Sequence, residues 1–223
     1  MKKIFTGFVL LSLLLTNVLK AQPKPAFWDD IQAIKRYDRI YLPPQKPILF
    51  IGSSSVRYWS GLSKAYPDRT VLNRSFGGSR INDVLRYADE IVFPYQPSQI
   101  VIYVGENDVP DQRLTADSIL NRFKELYTII RSKLPQVPIV YISMKPSPSR
   151  AKYVGKLIEA NKQIETFIST QASIKFLDVY SLMLDARGNM RPQLYKEDKL
   201  HMTAAGYKIW ERALEPLLIR SKE

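Results

Sequence analysis

Five short apolar runs, rich in branched and aromatic residues and showing no apolar–polar alternation, constrain this chain more than any other feature. They are Pro47–Gly52 (PILFIG), Thr70–Asn73 (TVLN), Gln99–Gly105 (QIVIYVG), Val137–Ser143 (VPIVYIS) and Ile174–Val179 (IKFLDV). A strand without alternation is covered on both faces, as in a parallel sheet held between helical layers. The segments between the runs carry the complementary signal. Ile81, Val84, Leu85, Ala88 and Ile91 make one helical stripe; Ile119, Leu120, Phe123, Leu126, Tyr127 and Ile130 make a second. Ile158, Ile164, Phe167 and Ile168 mark a third, and Tyr207, Trp210, Leu214 and Leu217 a last, at the spacings of a helix laid on a sheet. Strand alternating with helix predicts an α/β fold with a five-stranded parallel sheet and right-handed crossovers. Residues 27–40 add a predicted amphipathic helix, cut off from the first run by Pro43, Pro44 and Pro47.

The 223 residues suffice for one well-buried domain and not for two comfortable ones. Residues 1–21 read as an export signal: Lys2 and Lys3 precede a mostly apolar stretch from Ile4 to Val18, and Ala21 stands before a possible cut at Gln22. The remainder, 22–223, reads as a single exported domain, periplasmic or secreted. No segment reaches the ~18 apolar residues of a membrane span. The absence of cysteine excludes a disulfide framework, a thiol nucleophile and a thiolate metal site. Losing Lys2, Lys3 and Lys20 with the leader lowers the formal charge from +12 to +9. That balance suits anionic lipids or acidic glycans as well as a simply solvated basic surface, and export argues against nucleic acid.

In open α/β sheets, ligands bind beyond the carboxyl ends of the strands. Four polar clusters are predicted to fall there: Gly52-Ser53-Ser54-Ser55, Asn73–Gly78, Gly105-Glu106-Asn107-Asp108, and the segment Asp198-Lys199-Leu200-His201 before the last helix. His201 is the only histidine. Asp198, three residues earlier in a predicted loop, can hold its Nδ1–H and leave Nε2 free to take a proton from a serine, the orienter and base of a nucleophilic triad. Oxyanion donors are available from the serine's own amide, from a glycine amide of the second loop and from the Asn107 side chain. The serine-rich loop could instead cradle a phosphate at a helix N-terminus, but neither phosphate-binding glycine motif is present and that use leaves Asp198 and His201 unexplained. It is not a G-x-S-x-G elbow, since Val56 stands where the second glycine belongs. One histidine with scattered carboxylates gives no metal-ligand spacing.

Taken in order, the four clusters resemble the SGNH hydrolases, the GDSL-type lipase and esterase family, from Ile48 to Tyr207. The first block corresponds to Gly52-Ser53-Ser54-Ser55, a Gly-Ser-Ser-Ser variant, and places the nucleophile at Ser54. Gly78 matches the oxyanion glycine, Gly105–Asp108 matches Gly-x-Asn-Asp with Asn107 as a second donor, and Asp198 and His201 match Asp-x-x-His. Ser53 replaces the family's usual aspartate, as in a subgroup in which Arg and Trp follow closely. The resemblance implies a three-layer α/β/α sandwich with a flavodoxin-like sheet. It also implies ester hydrolysis through an acyl-enzyme on Ser54, with no metal or organic cofactor.

Arg57, Arg80, Lys145 and Arg150 lie in or just after the strand-end loops and are the candidate substrate-binding residues, suited to an anionic ester if they face the cleft. Arg74 sits in the same region. No long insertion suggests a lid, so a short acyl group, such as acetyl on a carbohydrate, is the expected substrate. The alternatives are a lysophospholipase or thioesterase-type acylhydrolase, or a non-catalytic glycan- or lipid-binding domain on the same fold.

Overall fold

The computed structural model of the protein describes residues 23–220; the export-signal reading of residues 1–21 lies outside the described residues. The first element is helix α1 (Trp28–Ile40), with Asp29 and Asp30 in its first turn and Arg39 in its last, charges that complement the helix dipole. Then follow β1 (Ile48–Gly52), the short helices α2 (Ser54–Arg57) and α3 (Leu62–Ala65), and β2 (Val71–Asn73). Next come α4 (Ile81–Arg86), α5 (Ala88–Ile91), β3 (Gln99–Tyr103) and α6 (Ala116–Lys133). The remainder is β4 (Ile139–Ile142), α7 (Val154–Ser169), β5 (Ile174–Leu177), α8 (Val179–Leu182) and α9 (Ala204–Leu214).

All pairings are parallel and the order is β2-β1-β3-β4-β5, so the five runs become the five strands of one doubly wound, flavodoxin-like sheet. Because successive side chains point to opposite faces, each strand feeds two cores. Leu49, Ile51, Ile100, Ile102 and Tyr141 join a cluster with Val84, Phe123, Ile130 and Ile164. Ile48, Phe50, Val101, Tyr103 and Val140 join the other, with Val56, Trp59, Tyr207 and Trp210. This two-sided burial makes the three-layer α/β/α sandwich and explains why the runs do not alternate. It also settles Trp59: the ring is buried, stacked on Tyr207 at 5.3 Å and edge-on to Trp210, as part of the core.

Two local details differ from the periodicity. The stripe from Ile81 to Ile91 is two helices and not one, broken at Tyr87, whose ring is buried and whose hydroxyl donates to the Ala26 carbonyl at 2.7 Å. Ile158 faces outward, and Leu157, Ala160, Ile164 and Ile168 form the buried side of α7. Strand order reverses between β1 and β3, and the crevice of such a sheet opens at that point. The loops after β1 and β3 carry the first and third polar clusters.

Candidate active site

The serine loop after β1 begins with a close approach. Gly52 has φ of +133°, and a Cβ there would lie 1.9 Å from the Tyr103 carbonyl oxygen, so only glycine lets β1 end this tightly against β3. The Ser53 amide then donates to the same carbonyl at 3.0 Å, and the buried Ser53 takes the N-cap position of α2 without a side-chain hydrogen bond to the helix. Ser54 is thereby the first residue of α2 and only partly buried, while Ser53 and Ser55 are enclosed. The second loop is tied to this turn: the Phe76 amide and the Ser79 hydroxyl both donate to the Gly52 carbonyl at 3.0 Å, and the Asn73 side chain donates to Val56 O at 2.8 Å.

The last cluster folds as a compact turn ahead of α9. Asp198 Oδ1 accepts the Leu200 and His201 amides, each at 2.9 Å, and Oδ2 lies 2.6 Å from His201 Nδ1. One carboxylate thus faces three N–H groups. Partial burial alone would raise its pKa, but these donors outweigh it and hold Asp198 down at about 2. With Nδ1–H donated to Asp198, Nε2 of the neutral ring is an acceptor, and it stands 2.9 Å from Ser54 Oγ. Residues 147 positions apart in the chain therefore form one relay. The arrangement can take the hydroxyl proton from Ser54 onto His201 and stabilise the resulting imidazolium through Asp198. Tyr58, half exposed, sets its ring edge-on to His201 at 5.1 Å.

Three groups are candidate oxyanion donors. The Ser54 amide starts a helix and donates to no backbone acceptor among the described residues, and neither does the amide of Gly78, an exposed glycine with φ of +78°. Asn107 donates one side-chain N–H to the Ser79 carbonyl at 3.1 Å, and its Oδ1 accepts from Arg150 Nη2 at 3.4 Å. The amide plane is thus set by its neighbours, with a second N–H left to point elsewhere. Asp108, fully buried, braces this loop: Oδ2 accepts the Ile81 amide at 3.1 Å and Oδ1 accepts Arg122 Nη1 at 2.8 Å. Burial raises the Asp108 pKa, and these two donors work against the rise.

The basic residues part company. Lys145 is a correction to the sequence reading: it has no exposure, and its ammonium donates to both Glu106 oxygens at 2.9 and 3.0 Å and to Ser147 Oγ at 2.7 Å. Tyr103 and Ser147 hydroxyls also donate to Glu106. Burial opposes the Glu106 charge, but Lys145, Ser147 and Tyr103 prevail and hold its pKa below the ordinary carboxylate value. Arg74 is buried against Asp38 and Tyr95. Arg57 pairs with Asp30, and Arg80 with Asp111 at 2.9 Å, both partly exposed. Sequence reasoning gave no role to Glu106, Asp108, Ser79 or Tyr58. The one available signal was that Glu106 and Asp108 follow directly on the buried apolar run of β3, where an acid needs a partner. Among the described residues no group of three or more His, Cys, Asp or Glu is placed to hold a metal ion.

Comparison with known proteins bears on this geometry. The sequence matches the GDSL-like lipase/acylhydrolase family over residues 51–209, a span that runs from the end of β1 to α9 and includes every residue of the relay. The chain belongs to this family. Several solved structures share its fold. A proposed acylhydrolase of Bacteroides fragilis is 20% identical, with a TM-score of 0.74 over 87% of this chain and 97% of that one. A GDSL-like lipase of Bacteroides thetaiotaomicron is 20% identical, with a TM-score of 0.72 over 84% and 96%. A mutant of an acetyl-xylooligosaccharide esterase from Geobacillus is 17% identical, with a TM-score of 0.63 over 80% and 98%. No curated protein matches the sequence. Among the described residues no helix is long and apolar enough to cross a membrane.

Proposed function

We propose that the protein is an exported serine esterase that hydrolyses small carboxylic esters, with acetylated carbohydrate as the leading substrate class. The observation that carries this reading is the relay from Ser54 Oγ through His201 to Asp198, at 2.9 and 2.6 Å. Ser54 Oγ attacks the ester carbonyl carbon as its proton passes to His201 Nε2. The carbonyl oxygen, now an oxyanion, is held by the amides of Ser54 and Gly78 and by Asn107. Collapse breaks the bond to the alcohol oxygen, which leaves with the proton from Nε2. Water, deprotonated by His201, then releases the acid and restores Ser54.

The preference for a small, polar ester rests on what the strand-end loops present, namely Tyr58, Arg80, Asn107 and Arg150, whereas the large apolar side chains nearest Ser54 in sequence, Val56 and Trp59, are buried in the core. The similarity in fold to an acetyl-xylooligosaccharide esterase agrees with that preference. Export rests on the sequence of residues 1–21. The test is a panel of p-nitrophenyl esters of rising acyl length and of acetylated oligosaccharides, run with the wild type and with Ser54→Ala and His201→Ala. Short esters should be cleaved best and both variants should lose nearly all of the rate while remaining folded. Full activity in either variant would remove the assignment.

A further inference from the structure

Four arginines lie on or beside the loops at the carboxyl ends of the strands, and their surroundings differ in one respect. Arg57, Arg74 and Arg80 each have a carboxylate partner, in Asp30, Asp38 and Asp111 respectively. Arg150 has none among the described residues. Its single side-chain hydrogen bond among the described residues runs from Nη2 to Asn107 Oδ1, a neutral acceptor, at a long 3.4 Å, and its Nε is shielded from solvent with no acceptor at all. A guanidinium carries five N–H donors in a planar fork matched to a carboxylate, so most of this fork is unused.

The position of Arg150 is built by the site. It lies on the turn Pro148–Tyr153, whose entry is fixed by the Ser149 amide donating to Lys199 O at 3.0 Å, inside the Asp198–His201 turn. On the other side it touches Asn107, beside the proposed oxyanion position. The preceding cation along the chain, Lys145, is already neutralised by Glu106 in the core, and Lys152 on the same turn lies over the Tyr153 ring at 4.8 Å, so Arg150 is the cation of this turn that reaches Asn107.

Building on the esterase reading above, we infer that Arg150 forms a subsite for an anionic group of the substrate, a carboxylate or similar oxyanion carried beside the scissile ester, and so selects acidic esters over neutral ones. An arriving carboxylate takes the unused N–H groups as charge-assisted hydrogen bonds. These are about twice as strong as neutral ones and give a preference of about tenfold or more.

The test separates binding from turnover. In the Ser54→Ala protein, which holds the ester intact, calorimetric titration compares para-acetoxybenzoate with para-acetoxybenzamide, which has the same shape without the charge. A matching pair, p-nitrophenyl hemisuccinate and p-nitrophenyl butyrate, places the charge on the acyl side. The carboxylate member of at least one pair should bind about tenfold tighter. Adding Arg150→Gln should abolish that preference, and Arg150→Lys should keep part of it. Equal binding within both pairs, binding of none of the four, or a preference that survives Arg150→Gln overturns the subsite. Turnover is read separately with Ser54 present. If the wild type cleaves neither ester of the preferred pair while the binding preference holds, the esterase reading falls and the subsite stands. Were Arg150 only a brace for Asn107, Arg150→Gln would lower kcat equally on charged and neutral esters and leave the ratio of their KM values unchanged, which also overturns the proposal.

Discussion

Replacing Lys145 by Met isolates the buried charge beneath the site. Lys145 and Glu106 are 0% and 4% exposed, and the ammonium is the only cation donating to that carboxylate among the described residues. The variant keeps the length and most of the packing volume of the side chain but leaves Glu106 with only the hydroxyls of Tyr103 and Ser147. An unpaired carboxylate in that environment escapes its burial cost by taking a proton. At pH 7 this costs about 1.4 kcal/mol for each pH unit above the ordinary value of 4.5, about 3.4 kcal/mol in all. That figure caps the part of the penalty that comes from protonating Glu106, and it is of the size of the ~3–5 kcal/mol found when one member of a buried pair is removed.

The sign follows from linkage. In the wild type the folded Glu106 pKa is depressed, so its contribution is present above the unfolded value and is lost as pH falls through the folded one. In the variant the folded pKa rises instead, so stability is undiminished below about 4.5 and is lost as pH climbs above it. The difference between the two proteins should therefore be about 3 kcal/mol at pH 7 and under about 1 kcal/mol at pH 5. Urea midpoints at the two pH values, with the slope m checked for constancy, measure it. Adding Glu106→Gln to Lys145→Met should recover more than half of the loss at pH 7. A loss below about 1 kcal/mol at pH 7, or one equal at both pH values, would refute the description of this pair as a buried, charged couple.

Other perturbations address the rest of the site. Gly52→Ala must push β1 from β3 and adopt a strained φ, so it should lower stability by about 2 kcal/mol or more and depress turnover, as read by thermal melting beside activity. Asn107→Ala should lower kcat by about 10²–10³ with KM little changed; a raised KM with kcat unchanged would place Asn107 in ground-state binding instead. Asp198, held at about 2, stays ionised from pH 4 upward, so its own titration should put no acid limb in the rate profile over that range. Asp198→Asn should lower kcat at every pH in that range, and an unchanged rate would remove it from the relay.

Much of the fold was legible because its signals are local. A strand covered on both faces shows itself as an unbroken apolar run, and Ile48–Gly52 and Gln99–Tyr103 fall inside the predicted stretches. The break at Tyr87 was not legible, since no glycine or proline marks it and what distinguishes Tyr87 is tertiary, a ring edge-on to Phe76 and a hydroxyl bonded to the Ala26 carbonyl 61 positions away. The meeting of Ser54 with His201 could be anticipated for a different reason: a chain with one histidine offers one base. The fate of the basic residues could not. Lys145 and Arg150 stand five residues apart in a loop of similar composition, yet one reaches Glu106 in the core and the other ends beside a neutral amide. Such a choice depends on which acid folds within reach across the sheet, information that charge counting does not contain.

The central claim is that Ser54, and neither of its neighbours, is the nucleophile activated by His201. A fluorophosphonate that phosphonylates activated serines tests it most directly, with intact mass and peptide mapping as the readout. One adduct per chain, confined to Ser54 and absent from the His201→Ala protein, is the expected result. An adduct on Ser53 or Ser55, or labelling undiminished by loss of His201, would contradict the account.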